Sequence, residues 1–137
     1  MPASLRFVLA LLGLALIAAP ISVSVLLGEE ARAARVNAEA MTGGRVARGE
    51  AAVRRFGCTG CHAMSVLRGP SGLVGPPLSG IASRAEIAGS LANTPEHMVA
   101  WLRFPQQLRP GCGMPQQPMT EAEARDLAAY LYTLRSG

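Results

Sequence analysis

Five consecutive residues, Cys58-Thr59-Gly60-Cys61-His62, leave the chain around them little freedom. Two thiols two residues apart lie within about one helical turn, close enough to add to the two vinyl groups on one edge of a porphyrin. The histidine that follows then stands under the metal, where its imidazole can bind iron. One ring edge and one axial position are thereby fixed by five residues. The competing use of these side chains is a zinc knuckle, with Cys58 and Cys61 completed by Cys112 and a histidine. A zinc site ordinarily brings a second close pair, and Cys112 stands alone. A haem that takes two of the three cysteines also leaves no pair for a disulfide framework.

The length, 137 residues, suits one domain. Half the residues are hydrophobic, but they crowd the N-terminus. All 13 basic residues are arginines, and the formal net charge of +4 would be partly offset by two haem propionates. Such a balance is compatible with docking on an acidic protein face. No basic run is interleaved with aromatics, so nucleic-acid binding has no support.

Residues 7–27 carry no charge and are long enough to cross a bilayer as a helix. Pro20 would kink that helix, which membrane spans tolerate, and Ser22 and Ser24 can bond back to it. A cleaved secretory signal is the alternative, with Arg6 as its basic start and residues 9–19 as its apolar part. Neither Ala31-Arg32-Ala33, beyond two glutamates, nor Ala18-Ala19-Pro20 makes a good cleavage site. Arg6 on one side and Arg32 and Arg35 on the other leave orientation undecided by charge. The thioether-forming machinery of bacteria works outside the cytoplasm, so the remainder is expected in the periplasm. The expected organisation is an anchor over 1–28, an alanine-rich helical stalk or linker over 29–44 ending at Thr42-Gly43-Gly44, and a haem domain over 45–137.

Within that domain a helix is expected over 45–56, with Val46, Gly49 and Val53 on one face. Gly49 either admits a close neighbour or is a tolerated surface glycine. Residues 63–79, with Gly69-Pro70 and Gly75-Pro76-Pro77-Leu78, read as a loop. A metal-bound histidine generally donates its second ring nitrogen to a carbonyl or carboxylate, and Gly75-Pro76-Pro77-Leu78 is the candidate segment for it. Thr94 caps a helix with Pro95 at its first position, running to about Phe104 and stopped by Pro105. Met98, Trp101 and Leu102 share a face of it. Trp101 is either core filler or an indole donor to a propionate. Thr120-Glu121-Ala122-Glu123 is a capping box opening a last helix over 121–135, with Leu127, Leu131 and Leu134 in one stripe and Tyr130 beside it.

Met114, on the proline- and glycine-rich stretch 106–118, suits the sixth iron position. Histidine with methionine gives six-coordinate iron of raised potential, which changes oxidation state with little movement. Met119 is a rival but precedes a helix cap, Met64 is too near His62, and His97 reads as a solvated residue. Cys112 reads as a small buried side chain in preference to a ligand or redox group, although a thiol two residues before Met114 could replace it after damage or in a mutant.

These features, in this order, resemble a class I c-type cytochrome over residues 45–135: the helix with Gly49, the Cys58–His62 run, Gly75-Pro76-Pro77-Leu78, Trp101, Met114-Pro115 and the last helix. The resemblance implies an all-α cytochrome c fold, three to five helices around one covalent haem c, preceded here by one N-terminal transmembrane helix. It implies Cys58 and Cys61 as thioether donors, His62 and Met114 as axial ligands, the Pro76 carbonyl as acceptor for His62, and Trp101 near a propionate. Ile87-Ala88-Gly89 and Asn93-Thr94-Pro95-Glu96 further resemble small membrane-anchored cytochromes that accompany haem–copper oxidases.

No nucleophile–base pair or substrate pocket is evident, so the expectation is an electron-transfer protein and not an enzyme. It would sit in the bacterial inner membrane with its haem domain in the periplasm, or be soluble there after signal cleavage. It would take one electron from a quinol-oxidising complex and pass it to a terminal oxidase or similar acceptor. The alternatives are a fixed cytochrome subunit of an oxidase or dehydrogenase, and a gas-binding sensor, which Met114 disfavours.

Overall fold

A computed structural model describes residues 2–64, 72 and 74–135 of the chain. Gly69-Pro70, in the expected loop over 63–79, lies outside the described residues. The chain divides into two compact units, Met1–Ala33 and Ala34–Gly137. The first consists of the greater part of helix α1 (Ala3–Thr42). The apolar side chains of this part, Phe7, Leu16 and Ile17 among them, are exposed, and its most apolar window has a mean hydropathy of 2.5. Its length and composition suffice to cross a membrane. Pro20 lies inside the helix, and the Ser24 hydroxyl donates to the Pro20 carbonyl at 2.7 Å.

The regular structure of the second unit is almost all helical, as expected. It starts with the last turns of α1, in which Ala38 and Thr42 are buried. Helix α2 (Val46–Arg55) follows, then short 3-10 turns at Cys58–Gly60 and Ile81–Ser83. Next comes an antiparallel hairpin of β1 (Glu86–Ile87) and β2 (Leu91–Ala92), pairing Glu86 with Ala92 and Ile87 with Leu91. Helices α3 (Pro95–Arg103), α4 (Pro105–Leu108) and α5 (Glu121–Leu131) complete it.

Helix α2 starts on Arg45, whose side chain cannot cap it. Its first amides therefore need acceptors from elsewhere. The Arg45 N–H donates to Asp126 Oδ1 at 2.7 Å, and the Val46 N–H to Glu39 Oε1 at 2.9 Å. Two carboxylates thus lie at the positive end of the helix dipole. Asp126 also accepts from Arg48, at 2.7 Å and 3.0 Å. Burial alone would raise the Asp126 pKa, but the bonds from Arg48 and the Arg45 amide hold it below the ordinary aspartate value.

Helices α2 and α5 meet nearly backbone to backbone. A Cβ on Gly49 would lie 2.0 Å from the Asp126 carbonyl oxygen and 2.7 Å from Tyr130 Cβ. A Cβ on Gly44 would lie 2.1 Å from the Arg125 carbonyl oxygen. Gly49 is therefore a close-approach glycine, the first of its two sequence readings. Ala124, Leu127, Ala128 and Leu131 of α5 pack with Val46, Ala52 and Val53 of α2 in the buried core.

Three details depart from the sequence expectation. Pro105 ends α3 but is also the first residue of α4, because a proline needs no N–H acceptor there. Helix α5 stops at Leu131, four residues before the expected end, yet Leu134 is still buried, carried inward by the following turn. The hairpin is an addition to the all-helical reading, and its strands are too short to show alternation.

Gly49→Ala is expected to cost about 3 kcal/mol, the upper range for overpacking against an element that cannot yield. Denaturant unfolding checks it; a loss below about 0.5 kcal/mol, typical of a free surface site, would mean that α2 and α5 separate easily.

Candidate functional site

Gly57, at φ 66°, ends α2 in the left-handed conformation that glycine adopts without strain. The chain then winds into the 3-10 turn of Cys58–Gly60, where the Cys61 and His62 amides both donate to the Cys58 carbonyl, at 3.2 Å and 3.0 Å. This compact turn holds the two thiols and the imidazole together. Gly72, Gly75 and Leu78 donate from their amides to the Thr59, Cys61 and Ala63 carbonyls at 2.8, 2.8 and 2.9 Å. The later segment is thus laid along the motif at every second residue.

Two glycines make that approach feasible. A Cβ on Gly72 would lie 2.0 Å from the Gly60 carbonyl oxygen. A Cβ on Gly75 would lie 2.4 Å from His62 Cε1 and 2.6 Å from Nδ1. The imidazole therefore stacks directly on the Gly75 backbone, and its Nδ1 lies 2.7 Å from the Pro76 carbonyl oxygen. A carbonyl only accepts, so Nδ1 carries the proton and Nε2 keeps a lone pair for a metal. Arg84 braces the same segment, donating to the Pro77 carbonyl and, at 3.1 Å, to the Ser79 carbonyl.

Cys58, Cys61, His62, Pro76, Trp101 and Met114 all line one cavity of about 530 Å³. All six site residues expected from the sequence are therefore brought to a common space. Its remaining walls are mainly apolar: Phe56, Leu78, Ile81 and Ile87, with Met98 and Leu102 of α3 and Leu127 and Leu131 of α5. Burial pushes the Cys58 thiol above its ordinary pKa, against the opposing effect of a backbone hydrogen bond. Met119 lines the cavity as well, and is buried; Met64 is buried in the core. His97 is exposed, bonded through Nδ1 to the Ala92 carbonyl at 2.9 Å, and lies outside the lining. Among the described residues, no three or more His, Cys, Asp and Glu side chains form a metal-holding cluster, so the zinc reading gains nothing.

Three residues escaped the sequence reading. Arg84 and Arg109 both line the cavity, and Arg109 donates to the Ala88 carbonyl at 2.6 Å, bridging the hairpin turn to the stretch before Met114. The third is Gln106, bonded to the Met114 carbonyl at 2.8 Å. Isolated polar side chains have no spacing that would flag them; only their tertiary partners do.

A cavity of this volume lies within the roughly 300–1,000 Å³ of small-molecule and cofactor sites. Apolar walls, a histidine with an oriented free nitrogen and two adjacent thiols suit a flat hydrophobic metal macrocycle. Fold and site together define a haem protein. Comparison of the sequence with known families agrees: the cytochrome c family model matches residues 46–135, and the chain belongs to that family. It is accordingly a haem-binding protein of electron transfer.

The chain is also similar to part of two proteins named cytochrome c oxidase subunit 2. It is 40% identical to the one from Alkalihalophilus pseudofirmus over 79 residues, which are 57% of this chain and 22% of that protein. It is 33% identical to the one from Bacillus sp. strain PS3 over 94 residues, 66% of this chain and 26% of that protein. The chain thus spans about a quarter of the length of these relatives.

Gly75→Ala is expected to push the imidazole away from its seat, because the ring has no room for a methyl group at 2.4 Å. The check is the proportion of haem-loaded protein and the position of its main absorption band; wild-type values for both would mean that the ring and the backbone at Gly75 adjust freely.

Proposed function

We propose that this chain is a membrane-anchored one-electron carrier of a respiratory chain that delivers electrons to a terminal oxidase. The observation that carries the reading is His62 hydrogen-bonded to the Pro76 carbonyl at 2.7 Å, with Met114 lining the same apolar cavity. In this reading Cys58 and Cys61 would hold one haem c through thioether bonds, and His62 and Met114 would ligate its iron. The Pro76 carbonyl fixes the His62 tautomer and raises its basicity. Trp101 would be the indole donor to a propionate of that haem. When bound, haem supplies an iron that gains and loses one electron. The protein's part is to keep both ligands in place in either oxidation state and to exclude water with Phe56, Leu78 and Leu127.

The three-part organisation, anchor over 1–28, linker over 29–44 and haem domain over 45–137, belongs to the same proposal, with the haem domain in the periplasm. An anchor keeps the carrier at a high local concentration near membrane partners. Donor and acceptor are redox proteins, a quinol-oxidising complex and an oxidase, and no small-molecule substrate is turned over.

A second reading has its own support: the relatives that share the domain are named as oxidase subunits. The chain would then be a fixed subunit of such a complex. Stable stoichiometric co-purification with an oxidase in detergent favours the subunit; recovery of the cytochrome alone, still oxidised by oxidase-containing membranes, favours the carrier.

Met114→Ala tests the ligand set. Loss of the weak far-red sulfur-to-iron absorption of the ferric protein is expected, with a potential lowered by on the order of 0.1 V or more. Retention of that absorption would assign the sulfur to another residue, with Met119 first in line.

A further inference from the structure

The side chain of Gln106 is occupied on every polar atom by one short stretch of backbone. Its Nε2 donates to the Cys112 carbonyl at 2.7 Å and to the Met114 carbonyl at 2.8 Å. Its Oε1 accepts from the Gly111 amide at 3.2 Å. The Cys112 sulfur, 3.3 Å from Nε2, is a third and longer neighbour of a group with only two hydrogens. Gln106 itself is held by a short rigid element, since Pro105 is fully buried and opens α4.

The stretch that Gln106 grips has few bonds of its own. Gly111 has a φ of 76°, and the Cys112 amide bonds to the Arg109 carbonyl at 3.2 Å. Gly113 and Pro115 flank Met114; both are exposed, and Gly113 has no side chain to anchor it. A carboxamide is suited to this task because it donates twice and accepts once, which neither lysine nor glutamate can do.

We propose that Gln106 is a positioning residue for Met114, a clamp that holds the Gly111–Met114 stretch closed so that the thioether stays on iron. This rests on the reading of Met114 as axial ligand. Gln106 is not part of the cavity lining and acts only through the backbone it binds. The clamp sets how often the sixth position opens, and so how well an outside ligand competes.

The test is imidazole titration of the full-length, haem-loaded ferric protein in detergent. An outside ligand that enters only the open form has an apparent dissociation constant inversely proportional to the open fraction. Gln106→Leu and Gln106→Glu are each expected to lower that constant at least about tenfold, the scale of two lost hydrogen bonds. The glutamate is isosteric and sets a carboxylate against two carbonyl oxygens, so it separates donor loss from volume and keeps the test readable where leucine fails to assemble. Gln107→Leu, at an exposed neighbouring position, is expected to stay within twofold of wild type.

Constants within twofold of wild type in both Gln106 variants would overturn the clamp, as would tighter binding in the leucine variant alone. A far-red band that survives Met114→Ala would instead overturn the ligand reading, and the clamp with it.

Discussion

The apolar residues of the second unit surround a cavity that they do not fill. Nine-tenths-buried side chains from α3 and α5, Met98, Leu102, Leu127 and Leu131, face a space of about 530 Å³. An apolar space of that size, with an imidazole and two thiols in its wall, asks for an occupant of cofactor size. The fold is therefore built around a large apolar group. Attaching that group to the chain places it reliably, and the Cys58–His62 turn stands at the cavity wall with the residues to do so. The electron-transfer role follows from the same constraint, because an iron enclosed by apolar walls and fixed ligands reorganises little when its charge changes.

Rigidity around that cavity comes from backbone contacts rather than from a large core. Gly49 lets α2 lie against the α5 backbone, and Asp126 ties the start of α2 to α5 through the Arg45 amide and the Arg48 guanidinium. Helix α2 ends directly at the motif, so its seat on α5 sets where Cys58 stands relative to Leu127 and Leu131. On the other side of the motif, Gly72, Gly75 and Leu78 close on Thr59, Cys61 and Ala63, and the Pro76 carbonyl meets His62. Glycine is used at each of these crossings because a methyl group would meet a backbone carbonyl at Gly49 and Gly72 and the His62 ring at Gly75.

Much of this was legible in the sequence, wherever the information is local. The Cys58–His62 spacing, the Thr94–Pro95 helix start and the capping box at Thr120 and Glu123 each encode their structure within five residues, and the two caps form as expected. For site residues far apart in the sequence, residue type and loop context point to Met114 and to the Gly75-Pro76-Pro77-Leu78 segment, the resemblance narrows that segment to the Pro76 carbonyl, and the structure brings them to one cavity. What remained hidden depends on partners far along the chain. The caps of α2 come from Glu39 and Asp126, so the arginine at its start gave no sign of them. Gln106, Arg84 and Arg109 act on carbonyls whose location only the fold determines. Pro105 was read as a stop because a proline ends one helix and opens another with the same chemistry.

The most direct measurement is the mass of the tryptic peptide between Arg55 and Arg68, residues 56–68, from protein matured in a host able to attach haem c. The account predicts one haem on that peptide, with both Cys58 and Cys61 resistant to alkylation and Cys112 alkylated as a free thiol. An unmodified peptide with both thiols alkylated, from protein that was matured and folded, would contradict it and would leave the cavity to some other occupant.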